Sequence, residues 1–98
     1  MQFLVIGYDG NDENAMERRL AVRKEHVQTF KANYEAGTFL FGCAILNNED
    51  KMIGSVIICE FESEEGLKEN WLNNEPYVIG EVWKTVEIRR VQVPSIVI

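Results

Sequence analysis

Histidine, cysteine and proline are scarce in this chain of 98 residues, which carries one histidine, two cysteines and two prolines. The single histidine, His26, excludes a histidine-rich metal centre, and no Cys or His spacing matches a zinc site. Cys43 and Cys59 lie in apolar runs (FGCAIL and SVIICEF) with no C-x-x-C, which argues against a redox pair or a disulfide framework. Both are read as small buried hydrophobes in a reducing, cytoplasmic setting. The segment Asp9-Gly10-Asn11-Asp12-Glu13 offers oxygen ligands but lacks the length and closing glutamate of a calcium loop, and reads as a solvated turn before a helix. No metal and no cofactor are expected.

Long apolar runs are missing as well, since no stretch approaches the ~20 residues that cross a bilayer. Met1 to Ile6 has neither a basic n-region nor a small-residue cleavage site, and is read as a strand rather than a signal peptide. Basic residues are the minority, ten against sixteen acidic ones, and the net charge of -6 argues against a nucleic-acid backbone or an anionic membrane as partner. No nucleophile motif or dinucleotide fingerprint occurs, and Gly7-Tyr8-Asp9-Gly10 has neither the glycine spacing nor the lysine of a phosphate cradle. What is plentiful is Val, Ile, Leu and Phe within an apolar share of 46%, which excludes disorder and suits one domain over residues 1–98.

Gln2 to Tyr8 is continuous and β-rich, and reads as a strand buried on both faces. Asp12 is taken as the N-cap of a helix of about 22 residues that closes at Gly37. Thr38 to Leu46 and Met52 to Phe61 form a hairpin around the polar turn Asn47-Asn48-Glu49-Asp50. Ser63, with Glu64 and Glu65 behind it, caps a second helix running to about Leu72. Pro76 opens a short turn ending near Gly80, and Val82 to Val93 is the last strand. The order β-α-β-β-α-β predicts a ferredoxin-like α+β fold, with both helices on one face of a four-stranded antiparallel sheet. Two strands are apolar on both faces, so the uncovered face calls for a second copy of the same sheet, and a homodimer is expected. The apolar tail, Pro94 to Ile98, either enters a partner groove or lies back on its own subunit.

At about 100° per residue, Met16, Leu20, Val27, Phe30 and Tyr34 form the expected core stripe of the first helix. Arg23 falls near the middle of that stripe, and Arg19, His26 and Asn33 lie along one edge. An arginine in an apolar stripe needs a partner. It either snorkels, pairs with a strand acid such as Glu60 or Glu87, or forms the cationic wall of a pocket. His26 is open to a structural or a catalytic reading. Glu35 lies nine residues on, about 900° of turn, and points away from it. Glu75, at the break before Pro76 and flanked by Trp71 and Tyr77, is the best candidate for an orienting acid, with capping of the Pro76 turn as its other role.

Arg19 to His26 (R-L-A-V-R-x-x-H), Glu35 to Gly42 (E-A-G-T-F-L-F-G), Phe61 to Glu65 (F-E-S-x-E) and Trp71 to Tyr77 (W-L-x-x-E-P-Y) together resemble the YciI-like family. The resemblance spans nearly the whole chain in the family's order. It implies a dimeric α/β barrel, in which two ferredoxin-like sheets pack together, and a pocket with a His–Asp dyad in which His26 is the family histidine. The family's Asp-Pro-aromatic motif reads Glu75-Pro76-Tyr77 here, and its Gly-Pro after the second strand's core reads Gly42-Cys43.

Three functions compete. In the first, a lyase or isomerase uses His26 as general acid or base oriented by Glu75, while Arg19 or Arg23, with Trp71 and Tyr77, holds a small anionic or aromatic ligand. Proton abstraction beside a carbonyl, or elimination from a ring, suits one histidine and an arginine. The superfamily resemblance implies the same chemistry, including elimination of chloride from chlorinated hydroxyquinols. In the second, the same pocket binds such a ligand without turnover. In the third, the chain is a structural dimeric module.

Overall fold

The structure, a computed structural model, describes residues 1–96. Four strands, β1 (Gln2–Asp9), β2 (Phe39–Leu46), β3 (Met52–Glu60) and β4 (Trp83–Val91), form one antiparallel sheet in the order β2-β3-β1-β4. A long helix, α1 (Ala15–Glu35), connects β1 to β2. Between β3 and β4 run α2 (Glu64–Asn70), a single 3₁₀ turn (Leu72–Asn74) and the one-turn helix α3 (Pro76–Ile79). This is the ferredoxin-like βαββαβ arrangement.

Alternation along β1 places Phe3, Val5 and Gly7 on the helix-covered face, where they pair with Cys59, Ile57 and Ser55 of β3. The core forms there from Phe3, Val5, Phe39, Ile57 and Cys59, closed by Leu67, Trp71, Leu72, Tyr77, Val82 and Trp83. Burial holds the Cys59 thiol protonated, its pKa pushed up to about 12. Gly7 has a particular task. A Cβ there would lie 2.2 Å from the Trp83 ring, so the missing side chain makes room for the indole against the sheet. Gly42 does the same for Phe30, whose ring would lie 2.3 Å from an added Cβ.

Several expectations need correction. The N-cap of α1 is Asn14, which makes no capping bond; Asp12 lies two residues earlier, accepts from the Asn14 amide and pairs with Arg18. The helix does close against Gly37, at φ 82°. The covered stripe of α1 is not the apolar one. Arg19 is buried, with Val22, His26 and Phe30 facing inward, whereas Leu20, Val27 and Tyr34 are 57%, 44% and 58% exposed. The cause is polar: Asp9, Ser55 and Glu75 lie under the helix and hold Arg19 and His26 inward. Cys43 is exposed rather than buried, because it pairs with Val56 and so lies on the sheet face that the helices leave uncovered.

Opposite the helices, Leu4, Ile6, Tyr8, Val56 and Ile58 share the other face of β1 and β3. None of these five is fully buried. Just past β4 the Val93 amide donates to Gln2 Oε1, two residues beyond the Gln2–Val91 pair of the sheet, and Ile96 is 94% exposed. The rest of the expected tail, Val97 and Ile98, lies outside the described residues.

Candidate functional site

Glu75 is the residue before Pro76, a position that the proline ring pushes out of helical geometry, and it has extended backbone at φ -62°, ψ 128°. From there it caps α3, its Oε2 accepting from the Tyr77 amide at 2.8 Å. The same Oε2 lies 2.8 Å from His26 Nδ1, and Oε1 accepts from Trp71 Nε1 at 3.1 Å. Glu75 is 0% exposed, so these three donors replace the water that a carboxylate would otherwise hold. One Glu75 side chain thus both caps α3 and contacts His26.

The His26 ring stacks on Tyr77, with centroids 3.8 Å apart and planes 8° from parallel, and meets the edge of Trp83 at 6.0 Å. A carboxylate at Nδ1 selects the tautomer with its proton on that nitrogen and leaves the Nε2 lone pair free. Burial pushes the Tyr77 phenol above its ordinary pKa, which keeps it protonated.

A second polar pair stands beside the first. Arg19 donates from Nη1 to both Asp9 oxygens at 3.0 and 3.1 Å and from Nη2 to Ser55 Oγ at 3.0 Å, with its Cζ 4.8 Å from the Tyr77 centroid. The Arg19 and Asp9 side chains are each 3% exposed. The reading of Asp9 as part of a solvated turn is therefore corrected. The strand runs one residue further than expected, and Asp9 shares the parity of Phe3, Val5 and Gly7 that aims it under α1.

These groups surround a cavity of about 240 Å³ between α1 and the β2–β3 half of the sheet. Arg19, Arg23, His26 and Phe30 of α1 line it, facing Ala44, Ser55, Ile57 and Tyr77. Of the expected site residues, His26, Arg19, Arg23 and Tyr77 reach the cavity wall, and Glu75 lies directly behind His26. Trp71 does not line the cavity. Its indole is turned toward Glu75 and packs edge-on against Phe39 at 4.7 Å, which makes it a support for the acid. Arg23 has no carboxylate partner among the described residues, and the strand acids weighed for it are engaged elsewhere: Glu60 accepts from Gln2 and Glu87 from Arg89. Asp9, Ser55 and Trp83 were missed. Only Ser55 carried a sequence signal, as the lone polar residue inside the run Ile53 to Cys59.

A family model described as a YCII-related domain matches residues 1–92. Two proteins named Protein YciI, from Escherichia coli O6:H1 (strain CFT073) and Shigella flexneri, are each 28% identical over 92 residues, covering 88% of this chain and 93% of theirs. Among solved structures, the 5-chloro-2-hydroxyhydroquinone dehydrochlorinase of Burkholderia phenoliruptrix AC1100, in complex with 2,5-dihydroxybenzoquinone, has a TM-score of 0.70 at 20% identity over 94% of both chains. At that identity the likeness supports the fold.

Two aspartates three residues apart are expected to titrate in opposite directions. Burial raises Asp9 above the ordinary carboxylate value and outweighs the opposing pull of Arg19. The hydrogen bonds from Arg18 hold Asp12 well below that value. A raised folded pKa gives stability that is present in acid and lost as pH rises through it. A lowered one gives stability present above the unfolded value and lost as pH falls. Carbon NMR of the side-chain carboxyls across pH should place the Asp9 midpoint above those of exposed carboxylates and the Asp12 midpoint below them. The reverse order would contradict the burial of the Asp9–Arg19 pair.

Proposed function

The chain belongs to the YCII-related domain family, and on that premise we propose that it is an acid–base enzyme, a lyase or isomerase, working as a homodimer on a small anionic ring substrate. The observation that carries this reading is the His26–Glu75 contact of 2.8 Å at the wall of the cavity, with the acid fully buried behind the imidazole.

The chemistry follows from the lone pair on Nε2. His26 takes a proton from carbon beside a carbonyl, and the electron pair left behind forms the new double bond. In an elimination the leaving group departs with its own bonding pair. The imidazolium that results is stabilised by the Glu75 carboxylate and by the face of Tyr77 against which it lies. Arg23 holds the anionic group of the substrate. Its charge is free for that task, whereas the charge of Arg19 is already balanced by Asp9. The apolar surfaces of Phe30 and Ile57 suit the faces of a ring. The structural neighbour is a dehydrochlorinase bound to a dihydroxybenzoquinone, which supports elimination from a hydroxylated ring as the first chemistry to try.

The homodimer rests on the uncovered sheet face. Leu4, Ile6, Tyr8, Val56 and Ile58 form an apolar surface that the helices of this chain do not reach, and a second copy of the same face is self-complementary across a twofold axis. Light scattering should report about twice the chain mass of 11.3 kDa, unchanged in moderate salt because apolar contacts are not screened. A monomer at micromolar concentration would contradict the sheet-to-sheet pairing.

Turnover is tested with 5-chloro-2-hydroxyhydroquinone, by chloride release, and with 2,5-dihydroxybenzoquinone as a binding probe. The wild type is expected to release chloride. His26→Ala should abolish release, Arg23→Ala should raise KM, and Glu75→Gln should slow turnover more than tenfold, or ~1.4 kcal/mol of barrier. Equal rates in wild type and Glu75→Gln would overturn the dyad. Binding of the quinone without chloride release would replace the enzyme by a binding module.

A further inference from the structure

The Ser55 hydroxyl is placed so that only its proton is left to offer. A serine hydroxyl has one proton to donate and two lone pairs to accept with. Arg19 Nη2 donates to Oγ at 3.0 Å, and Trp83 Nε1 donates to the same oxygen at 3.4 Å. Guanidinium and indole N–H groups donate only, so neither can take the proton of Ser55 in return. Both lone pairs are engaged, and the hydroxyl donates to no acceptor among the described residues. Ser55 is 3% exposed and lines the cavity that His26 and Arg23 line. The Nε of Arg19, on the same wall, is likewise buried without a partner.

We infer that Ser55 holds the reacting oxygen of the substrate, a carbonyl, phenolate or enolate oxygen, as a hydrogen-bond donor; this rests on the acid–base reading of the same cavity. Arg19 polarises the hydroxyl from behind, and a donor backed by a cation strengthens as negative charge builds on the oxygen it holds. Such growth follows when His26 removes a proton from the neighbouring carbon. The pole formed by Ser55 and Arg19 contains donors only, so it discriminates against an ammonium group and in favour of an acceptor oxygen. It also explains the Gly7–Trp83 arrangement. The bare backbone at Gly7 admits the indole, and the indole occupies the lone pair through which Ser55 could otherwise accept.

Neutron diffraction from crystals of the perdeuterated wild-type protein reads the donor directly. The Ser55 deuteron is expected to point into the cavity, away from Arg19 and Trp83. A deuteron directed at a backbone carbonyl or at Asp9 would overturn the assignment. Calorimetric titration with 2,5-dihydroxybenzoquinone supplies the second readout. Ser55→Ala is expected to bind the quinone at least tenfold more weakly than wild type, and equal affinity would overturn the inference. A wild type that does not bind the quinone would count against the acid–base reading, while the deuteron position still decides the role of Ser55.

Discussion

A carboxylate with no access to water costs several kcal/mol unless donors replace its hydration. Glu75 meets that demand with three donors drawn from three parts of the chain: the Trp71 indole at the end of α2, the Tyr77 amide at the start of α3, and the His26 ring on α1. The contact with His26 is the one that spans the fold, since the two residues are 49 positions apart. It sets the rotation of α1 about its axis, holds the imidazole against Tyr77, and determines which ring nitrogen remains available. Glutamate's additional methylene does not prevent this contact.

The Arg19–Asp9 pair works alongside it. Each charge is buried, and each is compensated by the other, so the pair tunes its surroundings without adding net charge to the cavity. Its consequence is a difference between two arginines of α1: Arg19 is engaged by Asp9 and Ser55, whereas Arg23 lines the cavity with no carboxylate partner among the described residues.

Residue types named His26 and Glu75 as candidates, but not their contact, which joins elements 49 positions apart. The strand and helix order, the hairpin and the break before Pro76 were readable from residue types and spacing, because each depends on local rules: turn residues, caps and the proline effect on its predecessor. The rotation of α1 was not. Periodicity weighs apolar residues, and Leu20, Val27 and Tyr34 outvote a stripe containing Arg19 and His26 until the polar groups beneath them are known. Asp9 was hidden for a related reason. Beside Gly10 it has the appearance of a turn residue, and only the parity of β1 carries it under the helix. Trp71 had the composition of a ligand wall, but its indole N–H was needed by Glu75. Each misreading replaced a buried polar partner with solvent or with ligand.

The account turns on the lone pair of His26 Nε2, and nitrogen NMR of the neutral imidazole tests it most directly. With selectively labelled histidine, the single ring in the chain gives one pair of resonances to assign. The predicted result is a protonated Nδ1, bound to Glu75, and an unprotonated Nε2, with the pattern lost in Glu75→Gln. A wild-type ring protonated at Nε2 would contradict the account, because the base would then face the buried acid and the cavity would meet an N–H.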